Sequence, residues 1–314
     1  GPQGEAGPTG AAGPAGPAGK TGPAGPAGAP PAAEADLPAY VGRFVVEIGG
    51  TSVPITDLRG CTVHLWRTGN DHDKNCRFTI TAITPAVLSY LTNLWSSGGY
   101  LLHPDIPIVE IDASGNRLTR YTLKSTSIAS AALTPLDIAS TGTVGVELEL
   151  VSEVRDRTSA TGNVGTLPTA SLRSSAFRVD LDGIPLTLTS IDPVSWINDV
   201  VKPAGSYHVA NIRTGPGTLT VAPASAKPIL DWLADVKART TVGANPGGLL
   251  GGSGINGPTR GLTISLLAAN NRDVAMHQTC NAVRPMTDIS PFATAAGRLS
   301  LEIASDGYCR LEAG

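Results

Sequence analysis

Residues 133–153 read "LTPLDIASTGTVGVELELVSE", and residues 289–307 read "ISPFATAAGRLSLEIASDG". Each sets a Thr-Pro or Ser-Pro pair before a short polar stretch and closes on a run in which Val, Leu or Ile alternates with Glu or Ser. Alternation with period two puts apolar side chains on one face and polar ones on the other, which is the pattern of a half-buried strand. Working back from this pair, the rest of the chain also occurs twice. "RFVVEIGGTSVPI" (43–55) is answered by "AFRVDLDGIPLTL" (176–188), and "FTITAITPAVLSYLTNLW" (78–95) by "LTVAPASAKPILDWLADV" (219–236). "IDASGNRLTRYTL" (111–123) is answered by "LAANNRDVAMHQT" (267–279). The offset grows from 133 at Phe44/Phe177 to 142 at Val87/Ile229 and 156 at Pro135/Pro291, so the second copy carries two insertions. One lies near "SWINDVVKP" (195–203); the other is the Gly-rich "GANPGGLLGGSGING" (243–257).

Within each copy the short apolar runs are rich in β-branched residues and bounded by Gly, Asn or Asp, which predicts strands. One segment breaks the pattern. Thr84-Pro85 opens a stretch with Val87, Leu88, Leu91, Leu94 and Trp95 at helical spacing, and Gly98 follows it, so an amphipathic helix is expected there. Tyr90 and Trp232 hold the central aromatic position of the two helices and are expected in the core.

The N-terminus has a different period. Gly1, Gly4, Gly7, Gly10, Gly13, Gly16, Gly19, Gly22, Gly25 and Gly28 recur at every third place without a miss. Only glycine fits at the axis where three polyproline II chains wind together, so the run predicts a collagen triple helix and hence a homotrimer. At about 3.1 Å per residue the rod is on the order of 90 Å long. Proline fills X places (Pro2, Pro8, Pro14, Pro17, Pro23, Pro26), while among Y places only Pro30 is proline, as in a bacterial or viral collagen-like segment. So short and imino-poor a rod needs a downstream domain to clamp the trimer.

Net charge is −3 and the basic residues are scattered, so sequence-specific nucleic-acid binding is not expected. No apolar stretch approaches the roughly 20 residues of a membrane span. The four cysteines fall as Cys61 with Cys76 and Cys280 with Cys309, a pattern open to two local disulfides or to buried thiols.

The order of elements in each copy, closed by the motif at 133–153, resembles the tail-tube family of contractile phage tails and phage-like injection machines, which includes the haemolysin-coregulated proteins. The resemblance spans roughly residues 41–155 and 175–311. It implies a mainly β (α+β) chain of two tandem small β-barrels, each with one packed helix. The expected organisation is a collagen-like triple helix at 1–30, a connector at 31–41, tail-tube-like barrels at 42–157 and 175–314, and a linker at 158–174. Members of this family assemble side by side into six-membered rings. Three chains with two such domains each would close a pseudo-hexameric ring. The expected role is therefore structural, in a virion or an extracellular or cell-surface appendage, with itself and other tail, baseplate or appendage proteins as partners. The alternative is a trimeric adhesin, a receptor-binding head on a collagen-like stalk.

No cofactor, metal or enzymatic role is expected. "NDHDKNC" (70–76), with Asp71, His72, Asp73 and nearby His64, matches no ligand spacing and reads as a hairpin loop. The resemblance makes Asp71, His72 and Asp73 candidates for contact between rings. Glu47, Glu110, Glu147 and Glu149 alternate with apolar residues and read as the wet face of strands. "GGLLGGSGING" (247–257) lacks the GxxxxGK[ST] order of a phosphate cradle. His103, His208 and His277 are solitary in sequence.

Overall fold

A computed structural model describes residues 43–61, 75–96, 105–169, 172–201, 208–242, 259–286, 292–293, 298–307 and 309–314. The collagen-like glycines and the connector lie outside the described residues. In chain order the first half contains β1 (Arg43–Ile48), β2 (Thr51–Arg59), β3 (Cys76–Ile80), α1 (Pro85–Ser96), β4 (Ile106–Ile111), β5 (Arg117–Leu133), β6 (Leu136–Asp137) and β7 (Val146–Ser159). The second contains β8 (Phe177–Leu181), β9 (Ile184–Leu186), β10 (Leu188–Asp192), β11 (Trp196–Val201), β12 (His208–Thr214), β13 (Gly217–Val221) and α2 (Lys227–Val242). It ends with β14 (Arg260–Leu267), β15 (Val274–Pro285), β16 (Phe292–Ala293), β17 (Leu299–Ser305) and β18 (Cys309–Ala313). The chain is mostly β, with two α-helices among the described residues.

Six strands of the first half close on themselves in the order β1-β2-β3-β7-β5-β4, every neighbour antiparallel, and the long β5 extends past β4 and offers an edge there. The second half repeats the circuit rung by rung. Val46 opposite Val53, Ile55 opposite Ile80 and Ile80 opposite Val146 become Val179 opposite Leu186, Leu188 opposite Val221 and Val221 opposite Leu299. Leu150 opposite Ile128, Tyr121 opposite Ile108 and Ile108 opposite Val46 become Ile303 opposite Pro285, Gln278 opposite Ile264 and Ile264 opposite Val179. Two strands differ in continuity. The second copy's counterpart of β2 is interrupted at Thr187 into β9 and β10, and its counterpart of β7 is interrupted after Ser305 into β17 and β18.

Both helices form where expected, and Val87 and Leu91 on α1 are buried like Ile229, Trp232, Leu233 and Val236 on α2. These side chains and the inward faces of both strand circuits form one continuous apolar cluster. The run "RFVVEI" is apolar on both faces of β1 because both are covered. Phe44, Val46 and Ile48 join the main core, while Val45 packs outward with Val109 and Ile111 under Ala160, Val164 and Leu167. The 160–167 stretch is thus strapped across β1 and β4, with one bridge inside it at Asn116–Asn163 and another beyond it at Thr143–Arg173.

The matching turns use matching chemistry. In the β4–β5 turn Asp112 Oδ1 accepts the amide hydrogens of Ser114 and Asn116 at 2.8 Å each, and Asn116 Nδ2 donates to Asp112 Oδ2 at 2.9 Å. These donors, led by the Asn116 side chain, hold the Asp112 carboxyl below the usual carboxylate range. In the β14–β15 turn Asn270 Oδ1 accepts from Arg272 N and Asp273 N at 2.9 and 3.1 Å.

Candidate assembly surface

The two halves join by exchange of short elements. The β11–β12 hairpin, which the sequence marks as an insertion near "SWINDVVKP", reaches back and adds to the first barrel with Trp196 opposite Ala131 and Ile197 opposite Ser130. Asn198 Nδ2, buried, donates to Ile128 O at 2.7 Å. In the other direction β6 adds to β10, with Leu136 opposite Ile191. Its positional counterpart β16 pairs instead with β17 in its own half.

The third joint is helix on strand. α1 lies against β18, and Thr92 Oγ1 donates to Leu311 O at 3.0 Å. Leu88, Ser89 and Thr92 face Ala275, Met276 and Ala313 across a cavity of about 480 Å³. Leu88 is 9 % exposed there. Cys280 and Cys309 stand opposite each other on β15 and β18 and are joined by a disulfide, which ties down the strand that α1 rests on. Cys61 and Cys76 are likewise joined, linking the end of β2 to the start of β3.

Burial sets one titration apart. The Tyr90 hydroxyl on α1 is buried without a hydrogen-bond partner, and desolvation pushes its pKa up to about 12. An acid with a raised folded-state pKa keeps its proton longer when folded, so this term is absent below pH 10 and erodes stability between pH 10 and 12. The loss approaches roughly 2–3 kcal/mol at the upper end, at 1.36 kcal/mol per pKa unit. Tyr90→Phe is expected to raise stability at pH 7 by about 1 kcal/mol, because an unsatisfied buried hydroxyl is removed. Denaturant titrations at pH 8 and pH 11 check this: the advantage of the variant should widen at pH 11, and a constant difference would contradict the assignment.

Asp71, His72, Asp73, His64, His103 and the 247–257 glycine run lie outside the described residues. Among the described residues no group of three or more His, Cys, Asp or Glu is placed to hold a metal ion, and no helix is long and apolar enough to cross a membrane. The strand carboxylates are more enclosed than a wet face implies. Glu47 is largely shielded between Arg117 and Arg120 (2.8 Å), which reach it from β5, because the covered outer face of the first barrel runs past it. Glu147 pairs with Arg77 at 2.7 Å, and Glu149 accepts from Ser130 Oγ at 3.1 Å. Glu110 lies on β4 opposite Thr119 and is partly buried. His208 begins β12 opposite Val201. His277 is not solitary in space, since its Nδ1 lies 3.0 Å from Ser265 Oγ on the neighbouring strand. Glu312, opposite His277 in the β15–β18 register, is engaged by Arg310 at 3.4 Å, so the cross-strand row has a Ser–His contact whose neighbouring carboxylate is held by a cation.

No protein-family model and no curated protein matches the chain. Among solved structures the chain is similar to the sheath/tube terminator of PVC, an extracellular contractile injection system, in its extended state. The identity is 16 % over 44 % of this chain and 93 % of that one, with a TM-score of 0.33. A likeness at this level does not bear on function.

Proposed function

We propose that this chain is a structural subunit: a homotrimer in which six barrel-and-helix repeats form a pseudo-hexameric ring, with the Gly-X-Y runs gathered on the axis as a three-chain rod. The ring belongs to a phage tail, a phage-like particle or an extracellular appendage. The observation that carries this is the repetition of the same six strand pairings, rung by rung, in both halves of one chain. A chain with two near-equivalent building blocks and a sequence element that demands three strands has a natural closed assembly of six blocks. Two disulfides suit an oxidising compartment outside the cell.

The mass of the full chain in solution, measured by light scattering before and after introducing Gly13→Ala, tests the reading. A trimer is expected for both proteins, with the rod's circular-dichroism melting transition lowered in the variant, since a side chain at the crowded axis disrupts the triple helix locally. A monomer, or a rod transition indifferent to Gly13→Ala, would contradict it.

A further inference from the structure

The strand registers assign counterparts residue by residue, and two exposed leucines stand out when this is done. Val87 and Ile229 match, so Leu88, Ser89 and Thr92 on α1 correspond to Leu230, Asp231 and Ala234 on α2. The inward residues of the two helices are buried alike, yet Leu88 is 9 % exposed and Leu230 is 43 % exposed. Leu88 lies at the α1–β18 joint, and among the described residues no strand makes a comparable joint with α2 beside Leu230. The missing surface can be located the same way. Tyr121 and Gln278 occupy the same rung, which makes Leu118 the counterpart of Ala275, one of the residues that line the groove beside Leu88. Leu118 is 47 % exposed. Arg157, opposite Tyr121, is the counterpart of Leu311, opposite Gln278, and Ser159 is the counterpart of Ala313.

We infer that the Leu230 face of α2 docks on the Leu118–Arg157 face of the first barrel of a second copy of this chain, repeating between chains the joint that α1 makes with β18 within one chain. The occupant follows from continuity with an established interface: the chain already contains this contact once, between the same two kinds of surface. The two versions also differ in charge: Asp231, which pairs with Lys227 one turn away at 2.6 Å, replaces Ser89 on the helix side, and Arg157 replaces Leu311 on the strand side. The contact is head-to-tail, since α2 and the first barrel are different surfaces. Head-to-tail contacts close into rings when the rotation per step divides the circle. Alternating the internal joint with this external one would run around six repeats in three chains. The inference rests on the ring reading above and adds its missing interface.

Leu118→Cys and Leu230→Cys, singly and together in the full chain, provide the test. All four native cysteines are paired, so the introduced thiols are the reactive ones. Both positions are exposed, and the substitutions leave the core intact. With mild oxidation or a short bis-maleimide, the double variant is expected to run mainly as covalent dimers and trimers on a non-reducing gel, while each single variant stays at the mass of one chain. A double variant that is trimeric by light scattering yet does not cross-link overturns this interface and leaves the ring reading standing. Leu230→Cys cross-linking alone would show a self-complementary contact and also overturns it. A monomeric double variant alongside a monomeric parent overturns the ring reading itself.

Discussion

Reducing both disulfides is expected to lower the stability of the barrel pair by about 6–7 kcal/mol. Cys61 and Cys76 are 15 residues apart and Cys280 and Cys309 are 29 apart. On the chain-entropy account, closing loops of those lengths restricts the unfolded ensemble by roughly 3 and roughly 3.5 kcal/mol. Domains are stable by only about 5–15 kcal/mol, so the two bonds together decide whether the protein survives heating. At roughly 2–4 °C per kcal/mol for a protein of this size, calorimetry with and without reductant should show Tm fall by about 15–25 °C. The Cys280–Cys309 bond has a further structural effect. It pins β18, so its loss should loosen the α1–β18 joint as well, and hydrogen exchange along α1 should rise before global unfolding. An unchanged Tm in a sample shown to contain four free thiols would contradict this account.

The second large effect is at the core of the repeat. Trp232→Ala should cost about 3–5 kcal/mol, the range for truncating a fully buried aromatic. Trp232 is buried on the inward face of α2 together with Ile229, Leu233 and Val236, so the cavity left behind is walled by the main cluster and cannot be filled by a simple collapse. Leu230→Ala, two residues away on the outward face, is the internal control. In the isolated chain it should change stability by less than about 0.5 kcal/mol, as surface substitutions do. Urea unfolding of the two variants side by side separates the faces of the helix; comparable losses would mean that the inward and outward sides are misassigned.

The repeat was legible in the sequence because it is written in local patterns. Strand alternation, the 3-to-4 spacing after Thr84-Pro85 and the paired Asp112 and Asn270 turns all depend on neighbours a few residues apart. Both helices and the repeated succession of elements followed from them. The joints between the halves were not legible, and for the two strand joints the reason is physical: they are made by backbone pairing. The β11–β12 hairpin docks on β5 through main-chain pairing, which any alternating segment can supply, so in sequence it reads as an insertion. The strap over Val45, Val109 and Ile111 uses Ala160, Val164 and Leu167, spaced too widely in a polar stretch to suggest a covering layer. Glu47 shows the same limit, since the arginines that enclose it stand about 70 residues away in the chain and its own neighbours carry no trace of them. The exposed pair Leu118 and Leu230 became visible only when the two halves were set in register, because an isolated exposed leucine is ordinary on any protein surface.

The central claim is that each half counts as one block of a closed ring. Images of the full-length protein in negative stain, averaged without imposed symmetry, test it most directly. Six lobes of alternating character around a lumen are expected, with overall threefold symmetry and a thin rod on the axis. Three separate heads hanging from a rod, with no lumen between them, would contradict it.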